Sequence, residues 1–169
     1  MSKTLTKQKE ELTKKVDQMQ IDAAEKTFTI NFDDRKMVKT LMEHLNKGYT
    51  WKTSNAAVVV TLYDQLKAQN KELLKSDSEE TVISLRGHEL NALYQALLNV
   101  EGTGIESARK FITMLTHVGE TVSTAMTELA DMNKEISELH KQIAELETQI
   151  QDAEEVEAEV EPVVNEASK

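Results

Sequence analysis

The sequence predicts a mostly α fold (α+β), in which a small helical domain with two short strands continues into a long C-terminal coiled-coil helix. Three observations predict it. Apolar residues recur at alternating steps of three and four between residues 108 and 153, which is the spacing of a coiled coil. Two short segments alternate apolar and polar residues, as half-buried strands do. Five glycines and one proline in 169 residues provide few of the turns that an all-β fold needs.

The C-terminal repeat predicts association. A strict seven-residue repeat keeps one narrow apolar seam only if the helix supercoils around a partner. Large seam residues fill residues 127–153, whereas Gly119 and Ala125 weaken the seam before them. Isoleucine at a positions with leucine at d positions favours a parallel dimer, and sparse charge pairs leave a trimer open. We therefore predict a homo-oligomer held by a coiled coil over residues 127–153, through Leu129, Met132, Ile136, Leu139, Ile143, Leu146 and Ile150.

Residues 1–26 predict an N-terminal amphipathic helix. Its apolar stripe consists of Leu5, Leu12, Val16, Met19 and Ala23. This spacing fits a coiled-coil seam or one face of an ordinary amphipathic helix. We favour a helix that packs on its own domain or on the long helix over an independent oligomerisation site.

Residues 27–126 predict an α+β domain with a tandem repeat, 27–74 and 81–126. Each half has a short strand, a helix, a turn and a second helix, with caps expected at Asp33 or Asp34, at residues 53–55 and at Thr103. An offset of 53 positions aligns Ile30 with Ile83, although only five of 38 aligned positions are identical. Because amphipathic helices match partly at some offset in any case, the hypothesis of duplication depends on the repeated order of elements. We expect the helices to bury Val58, Leu62, Leu90 and Leu97.

The repeated unit resembles a short strand-helix-turn-helix module of small tailed-bacteriophage proteins whose role is unknown. The matching segments are Phe28-Thr-Ile-Asn-Phe32, Leu41 to Leu45, Trp51-Lys52 and Leu62 to Gln69. The resemblance covers residues 27–70 and, more weakly, 81–125. It rests on a hydrophobic pattern and transfers no catalytic residue. It implies a component or accessory of a phage virion.

The composition limits the classes of partner that the protein can bind and indicates the cellular compartment in which it is made. The net charge is −10, and residues 131–161 hold eleven acids against two lysines. Such an acidic surface disfavours nucleic acid and anionic membranes as partners. The sequence contains no cysteine, so disulfides and thiolate metal sites are excluded. It also lacks the apolar run of a signal peptide or a membrane span. We expect a soluble protein made in the cytoplasm, with packaging in a virion left open.

No motif predicts an enzyme, a cofactor or a metal site. Gly102-Thr-Gly104 begins like a phosphate-binding loop, but Ser107 replaces the third glycine and no strand precedes it. No two of the four histidines have the helical spacing of metal ligands. In a parallel coil, His140 would face Glu135 of a second chain, so we expect tighter association as the pH falls through the imidazole range.

Residues 154–169 predict a disordered acidic tail, because neighbouring glutamates repel one another and Pro162 ends a helix. Two functions follow. The first is a non-catalytic structural or assembly protein that oligomerises through its C-terminal coiled coil. The alternative is an acidic adaptor or decoy that binds a basic surface of a host protein. A chaperone that holds clients between splayed helices is a third, weaker hypothesis.

Overall fold

The structure is a computed structural model that describes residues 2–32, 35–50, 56–75 and 81–159. It confirms the mostly α fold with a small sheet and a long C-terminal helix. In chain order the elements are α1 (Ser2–Glu25), β1 (Thr27–Phe32), α2 (Arg35–Gly48), α3 (Ala56–Lys75), β2 (Thr81–Arg86), α4 (Gly87–Leu98) and α5 (Ile105–Glu159).

The chain divides into two compact units. The hairpin unit consists of Met1–Ala23 together with Ala130–Lys169, and therefore contains most of α1 and the C-terminal half of α5. The α+β unit is Ala24–Leu129 and contains both strands, α2 to α4 and the first half of α5. Helix α5 contributes a different apolar cluster to each unit.

Strands β1 and β2 form an antiparallel two-stranded sheet in which Phe28 faces Leu85, Ile30 faces Ile83 and Phe32 faces Thr81. The alternation expected from the sequence appears directly in the burial. Phe28, Ile30 and Phe32 point into the core, and the threonines and asparagine between them are exposed. Two strands alone are marginal in water, so the helices that pack on the inner face of the sheet must supply most of its stability.

The core of the α+β unit is aliphatic and draws on every element of that unit. Its fully covered side chains include Ile30, Val38, Leu41, Leu66, Ile83, Leu85, Leu90, Leu93, Leu97, Met114 and Val118. Leu62, Leu90 and Leu97 are buried as expected, but Val58 is 53% exposed and Val59 takes the inward position. The run of five apolar residues at 56–60 contains no polar residue that would have fixed the phase of α3.

The two halves of the α+β unit correspond in structure, with an offset that differs between strands and helices. The buried strand residues Phe28 and Ile30 match Thr81 and Ile83 at the expected 53 positions. The helices match at 52 positions instead. Pairs of buried residues at this spacing are Val38 and Leu90, Leu41 and Leu93, Leu45 and Leu97, Leu62 and Met114, and Leu66 and Val118. The offset of 53 had placed Tyr94 and Leu98 at core positions, and both are more exposed than the residues found there. The second half is thus one residue shorter between its strand and its helix.

The turns that follow α2 and α4 contact each other. Tyr49 and Val100 form an isolated antiparallel bridge, and the Glu101 N–H donates to the Gly48 carbonyl at 2.9 Å. A Cβ atom on Gly48 would lie 2.4 Å from the Glu101 oxygen and 2.9 Å from a methyl group of Val100. Position 48 therefore requires glycine because two backbones approach each other closely there.

The two ends of α5 correct two expectations. Helix α5 begins at Ile105, with Gly104 at a φ of 90° and its carbonyl accepting from the Ala108 N–H, so Thr103 lies too early to cap it. The helix also continues to Glu159, six residues into the segment expected to be a disordered tail. Like-charge pairs cost only a few tenths of a kcal/mol each, which is too little to stop an established helix. Residues 160–169, and the caps expected at 33–34 and 53–55, lie outside the described residues.

Candidate interaction surface on the helical hairpin

Within the hairpin unit, the apolar seam of α5 packs against α1 of the same chain. Val16 is 3% exposed and lies in one cluster with Ile136 and Leu139, which are 7% and 6% exposed. Leu12, Met19 and Ile143 pack around this cluster and are partly buried. The middle of the stripe predicted on α1, Leu12, Val16 and Met19, therefore packs against the C-terminal seam.

Two ion pairs give the direction of the helices. The Lys9 ammonium lies 2.7 Å from a Glu147 carboxylate oxygen, and Lys15 lies 3.1 Å from Glu135. The lysine nearer the N-terminus pairs with the glutamate nearer the C-terminus, so α1 and α5 run antiparallel. All four side chains are more than a third exposed, and such pairs contribute at most about 1 kcal/mol each. They fix the register of the hairpin, while the buried apolar residues supply its stability.

The residues predicted to mediate oligomerisation divide into three groups. Ile136 and Leu139 are buried by α1. Met132, Ile143, Leu146 and Ile150 are of intermediate exposure. Leu129 packs against the core of the α+β unit. Association through these residues stays a prediction, now with α1 lying along the same seam.

Glu135 and His140 have partners within the chain. Glu135 is paired with Lys15, and the ring Nδ1 of His140 lies 3.0 Å from the Ile136 carbonyl oxygen. The expected contact between Glu135 and a second chain's His140 would therefore compete with Lys15. The pair of Glu135 and His140 therefore gives no basis for a pH dependence of association.

A charged cluster joins α3 to the start of α4. The Glu89 carboxylate accepts from the Arg86 guanidinium at 2.6 Å, from the Arg86 N–H at 2.9 Å and from the Gln65 amide at 2.9 Å. The hydrogen bond from the Arg86 side chain, aided by Gln65 and the Arg86 N–H against partial desolvation, lowers the pKa of Glu89 to about 2. This glutamate closes the first turn of α4, as a capping-box residue does.

The structure also contains a cavity that the sequence did not indicate. It has a volume of about 430 Å³ and lies between α2 and α3, lined by Leu45, Asn46, Tyr49, Ala56, Val59, Val60 and Tyr63. Within the described residues, the Tyr49 hydroxyl is buried and has no hydrogen-bond partner. Among the described residues, no charged side chain lines this cavity, and its polar groups are those of Asn46, Tyr49 and Tyr63.

The described residues contain no cluster of metal ligands and no membrane-spanning helix. Across residues 2–32, 35–50, 56–75 and 81–159, no three histidine, aspartate or glutamate side chains come together as a metal site would require. In the same part of the chain, no helix combines the length and the apolar character needed to cross a membrane.

The comparisons with known proteins found no relative. The chain matches no family model, no curated protein and no solved structure. The hairpin seam, the Glu89 cluster and the cavity must therefore be interpreted from their own geometry.

Proposed function

We propose that this chain is a non-catalytic structural or assembly protein that self-associates through its C-terminal coiled-coil helix. In this proposal, α1 stays in place and the hairpins of two copies pack side by side as a helical bundle. The observation that carries the proposal is the stripe of large apolar residues on α5 that α1 covers only in part. Packing a second hairpin on that stripe would remove Met132, Ile143, Leu146 and Ile150 from water.

The apolar burial between two hairpins is large enough to offset much of the cost of association. These four side chains are at most about a third exposed, so completing the burial of each one contributes about 0.5–1 kcal/mol, a third of the value for a full side chain. Four such residues in each copy, counted over two copies, therefore contribute several kcal/mol against the cost of association. A dimer is the simplest product, and a trimer is the alternative.

The resemblance of the strand-helix-turn-helix unit to tailed-phage modules supports a role as a virion component or accessory. Coiled coils suit such a role because they multiply a small domain without a large interface of its own. This assignment concerns the biological setting and is independent of the self-association test.

Light scattering on the full chain tests the proposal. We expect a mass that is a multiple of 19.1 kDa, and a return to 19.1 kDa for Ile143→Asp in dilute protein. The matched control is Gln142→Asp, which adds the same side chain at the neighbouring exposed position and should keep the wild-type mass. A monomeric wild-type chain at all accessible concentrations would overturn the proposal.

Cross-linking then distinguishes hairpin packing from an exchange of α1 between chains. The chain has no cysteine, so the variant Lys9→Cys with Glu147→Cys presents thiols at one ion-pair position only. A short bis-maleimide should join α1 to α5 within one chain, giving a cross-linked band at the monomer mass, and the cross-linked protein should still associate. Cross-linked bands at twice that mass would show that α1 pairs with another chain's α5 and would refute the side-by-side arrangement.

One observation favours the alternative function, an acidic adaptor or decoy for a basic surface of a host protein. Several acids of α5 remain exposed after α1 has packed: Asp131, Glu145, Asp152, Glu154 and Glu155. Binding to a basic protein through them would be lost between low and moderate salt because exposed charges are screened. Self-association through apolar packing would persist, so a salt titration separates the two functions.

A further inference from the structure

The two outer edges of the small sheet differ in the hydrogen bonding of their backbone groups. Along β2, the Gln69 side chain of α3 acts as a short piece of neighbouring strand: its amide donates to the Ser84 carbonyl at 2.8 Å, and its carbonyl accepts from the Ser84 N–H at 2.9 Å. Both Ser84 backbone groups therefore point away from β1. Since Thr29 is the partner of Ser84 in the register, the backbone groups of Thr29 must also point outward, away from β2.

The same alternation applies along the whole of β1. Antiparallel pairs alternate between hydrogen-bonded and non-hydrogen-bonded, so Thr27, Thr29 and Asn31 direct their N–H and C=O groups to the outer edge. Among the described residues, no other element donates to or accepts from these groups. The side chains of all three residues are exposed. This outer row of backbone groups is named here the β1 edge.

The repeat explains why only one edge is closed. At the helix offset of 52, the residue equivalent to Gln69 is Thr121 on α5. Its side chain carries no amide, and its hydroxyl donates to the His117 carbonyl of its own helix at 3.0 Å. The second half therefore provides no side chain that hydrogen-bonds the outer backbone groups of β1 as Gln69 does those of β2.

The β1 edge also lacks the devices that keep exposed strands apart. Native edges are usually protected by proline, by lysine within the strand, by a bulge or by a covering element. The strand Thr27–Phe32 contains no charged residue and no proline, and it pairs without a bulge. A strand edge of six residues with these properties is a template for another strand.

We propose that the β1 edge pairs with the β1 edge of a second copy of this chain, giving a continuous antiparallel four-stranded sheet in the order β2, β1, β1, β2. The occupant is a second copy because the edge is self-complementary: two antiparallel β1 strands related by a two-fold axis satisfy each other's outward groups equally. A two-fold axis at Thr29 pairs Thr27 of each copy with Asn31 of the other, so only uncharged side chains meet across the new pair of strands. Gln69 closes the other edge, so the sheet stops at four strands.

Amide hydrogen exchange by NMR on the full chain tests the pairing residue by residue. The inward N–H groups of Phe28, Ile30 and Phe32 take part in the β1–β2 ladder and should be protected at every protein concentration. The outward N–H groups of Thr27, Thr29 and Asn31 should exchange quickly in dilute protein and slow at least tenfold as the concentration rises. Outward amides whose exchange does not change with concentration would overturn the pairing.

A matched pair of lysine variants provides the second readout. Thr29 and Ser84 face each other on the same exposed side of the sheet, with their hydroxyl oxygens 3.4 Å apart. Thr29→Lys places a like charge beside its symmetry mate in the four-stranded sheet, whereas Ser84→Lys lies one strand further from the partner. We expect Thr29→Lys to weaken the concentration-dependent protection at least tenfold and Ser84→Lys to leave it nearly unchanged. Equal effects of the two variants would refute the inference.

This pairing uses a surface separate from the hairpin seam, so the two proposals can fail independently. If Ile143→Asp makes the chain monomeric by mass and the outward β1 amides never become protected, the hairpin proposal stands and the edge proposal is wrong. If the outward amides are protected in Ile143→Asp as in the wild type, the edge proposal stands. Protection that appears only when an extended peptide from another protein is added would show that the occupant is not a second copy.

Discussion

The substitution Ile136→Ala tests whether α1 and the C-terminal half of α5 form the hairpin. Ile136 is 7% exposed and lies against Val16 and Leu139. Truncating a buried isoleucine to alanine costs about 2–5 kcal/mol, depending on how far the surroundings can collapse. The pair of helices can relax around the site, so we expect the low end, about 2–3 kcal/mol. That corresponds to an increase of about 30- to 150-fold in the equilibrium constant for opening the hairpin.

The same helix supplies the control. Ile112 also lies on α5, carries the same side chain and is 61% exposed. Ile112→Ala removes the same atoms with nearly the same change in helix propensity, but it leaves no cavity. We expect it to change stability by no more than about 0.5 kcal/mol.

Hydrogen exchange of the α1 amides is the appropriate assay, because it reports the opening of this helix rather than global unfolding. The measurement should be made at a concentration where light scattering shows a single mass. Ile136→Ala should accelerate exchange along α1 by the factor given above, and Ile112→Ala should not. If both variants accelerate α1 exchange equally, or if Ile136→Ala changes it less than threefold, the packing of α1 on this seam is wrong.

Two further predictions concern the α+β unit. The folded pKa of Glu89, about 2, lies below its ordinary value of 4.5, so its contribution to stability is present above pH 4.5 and is lost as the pH falls towards 2. Because Arg86 is partly exposed, we expect the loss of stability to be about 1–3 kcal/mol. Urea titrations at pH 5 and pH 2.5 should show this loss in the wild type and not in Glu89→Gln. An equal pH dependence of stability in both proteins would refute the prediction. Gly48→Ala places a Cβ atom against the Glu101 backbone and should lower the stability by about 1–3 kcal/mol. The control Gly102→Ala has nothing within 4 Å of its Cβ atom and should keep the wild-type melting temperature. Similar melting temperatures for the two variants would contradict the close approach at Gly48.

Periodicity in the sequence predicted the elements because burial in this protein follows simple patterns. The alternation of Phe28, Ile30 and Phe32 predicted β1, and the heptad spacing predicted the seam of α5. A seven-residue repeat shows that a helix has a partner but does not name the partner. The antiparallel pairing with α1 depends on contacts such as Val16 with Ile136, and these residues are 120 positions apart in the sequence.

Other features could not have been predicted because they depend on tertiary geometry. The burial of Val59 rather than Val58 was hidden within a uniformly apolar run. Gln69 looked like an ordinary polar residue of a helix surface, and its role became visible only when α3 was placed beside β2. Neither the close approach at Gly48 nor the state of each sheet edge leaves a local pattern in the sequence.

The offset between the two halves strengthens the hypothesis of internal duplication in a way that sequence identity could not. A coincidental match of two amphipathic helices would hold for one helix pair at one offset. Here both the first and the second helices of each half match at 52 positions, with Leu41 and Leu93 in one pair and Leu66 and Val118 in the other. A single residue removed between strand and helix accounts for the value of 53 in the strands, since Ile30 and Val38 are eight positions apart whereas their counterparts Ile83 and Leu90 are seven apart.

Duplication followed by divergence also accounts for the two surfaces proposed for self-association. In the first half the second helix ends at Lys75 and keeps Gln69 for the sheet edge, whereas in the second half it extends to Glu159 and forms the hairpin seam. The elongated helix has Thr121 where its counterpart has Gln69. On this account, both the partly covered α5 seam and the unclosed β1 edge arise from changes in the same helix. The association through the α5 seam and the amide protection of the β1 edge should therefore be measured in one preparation of the full chain.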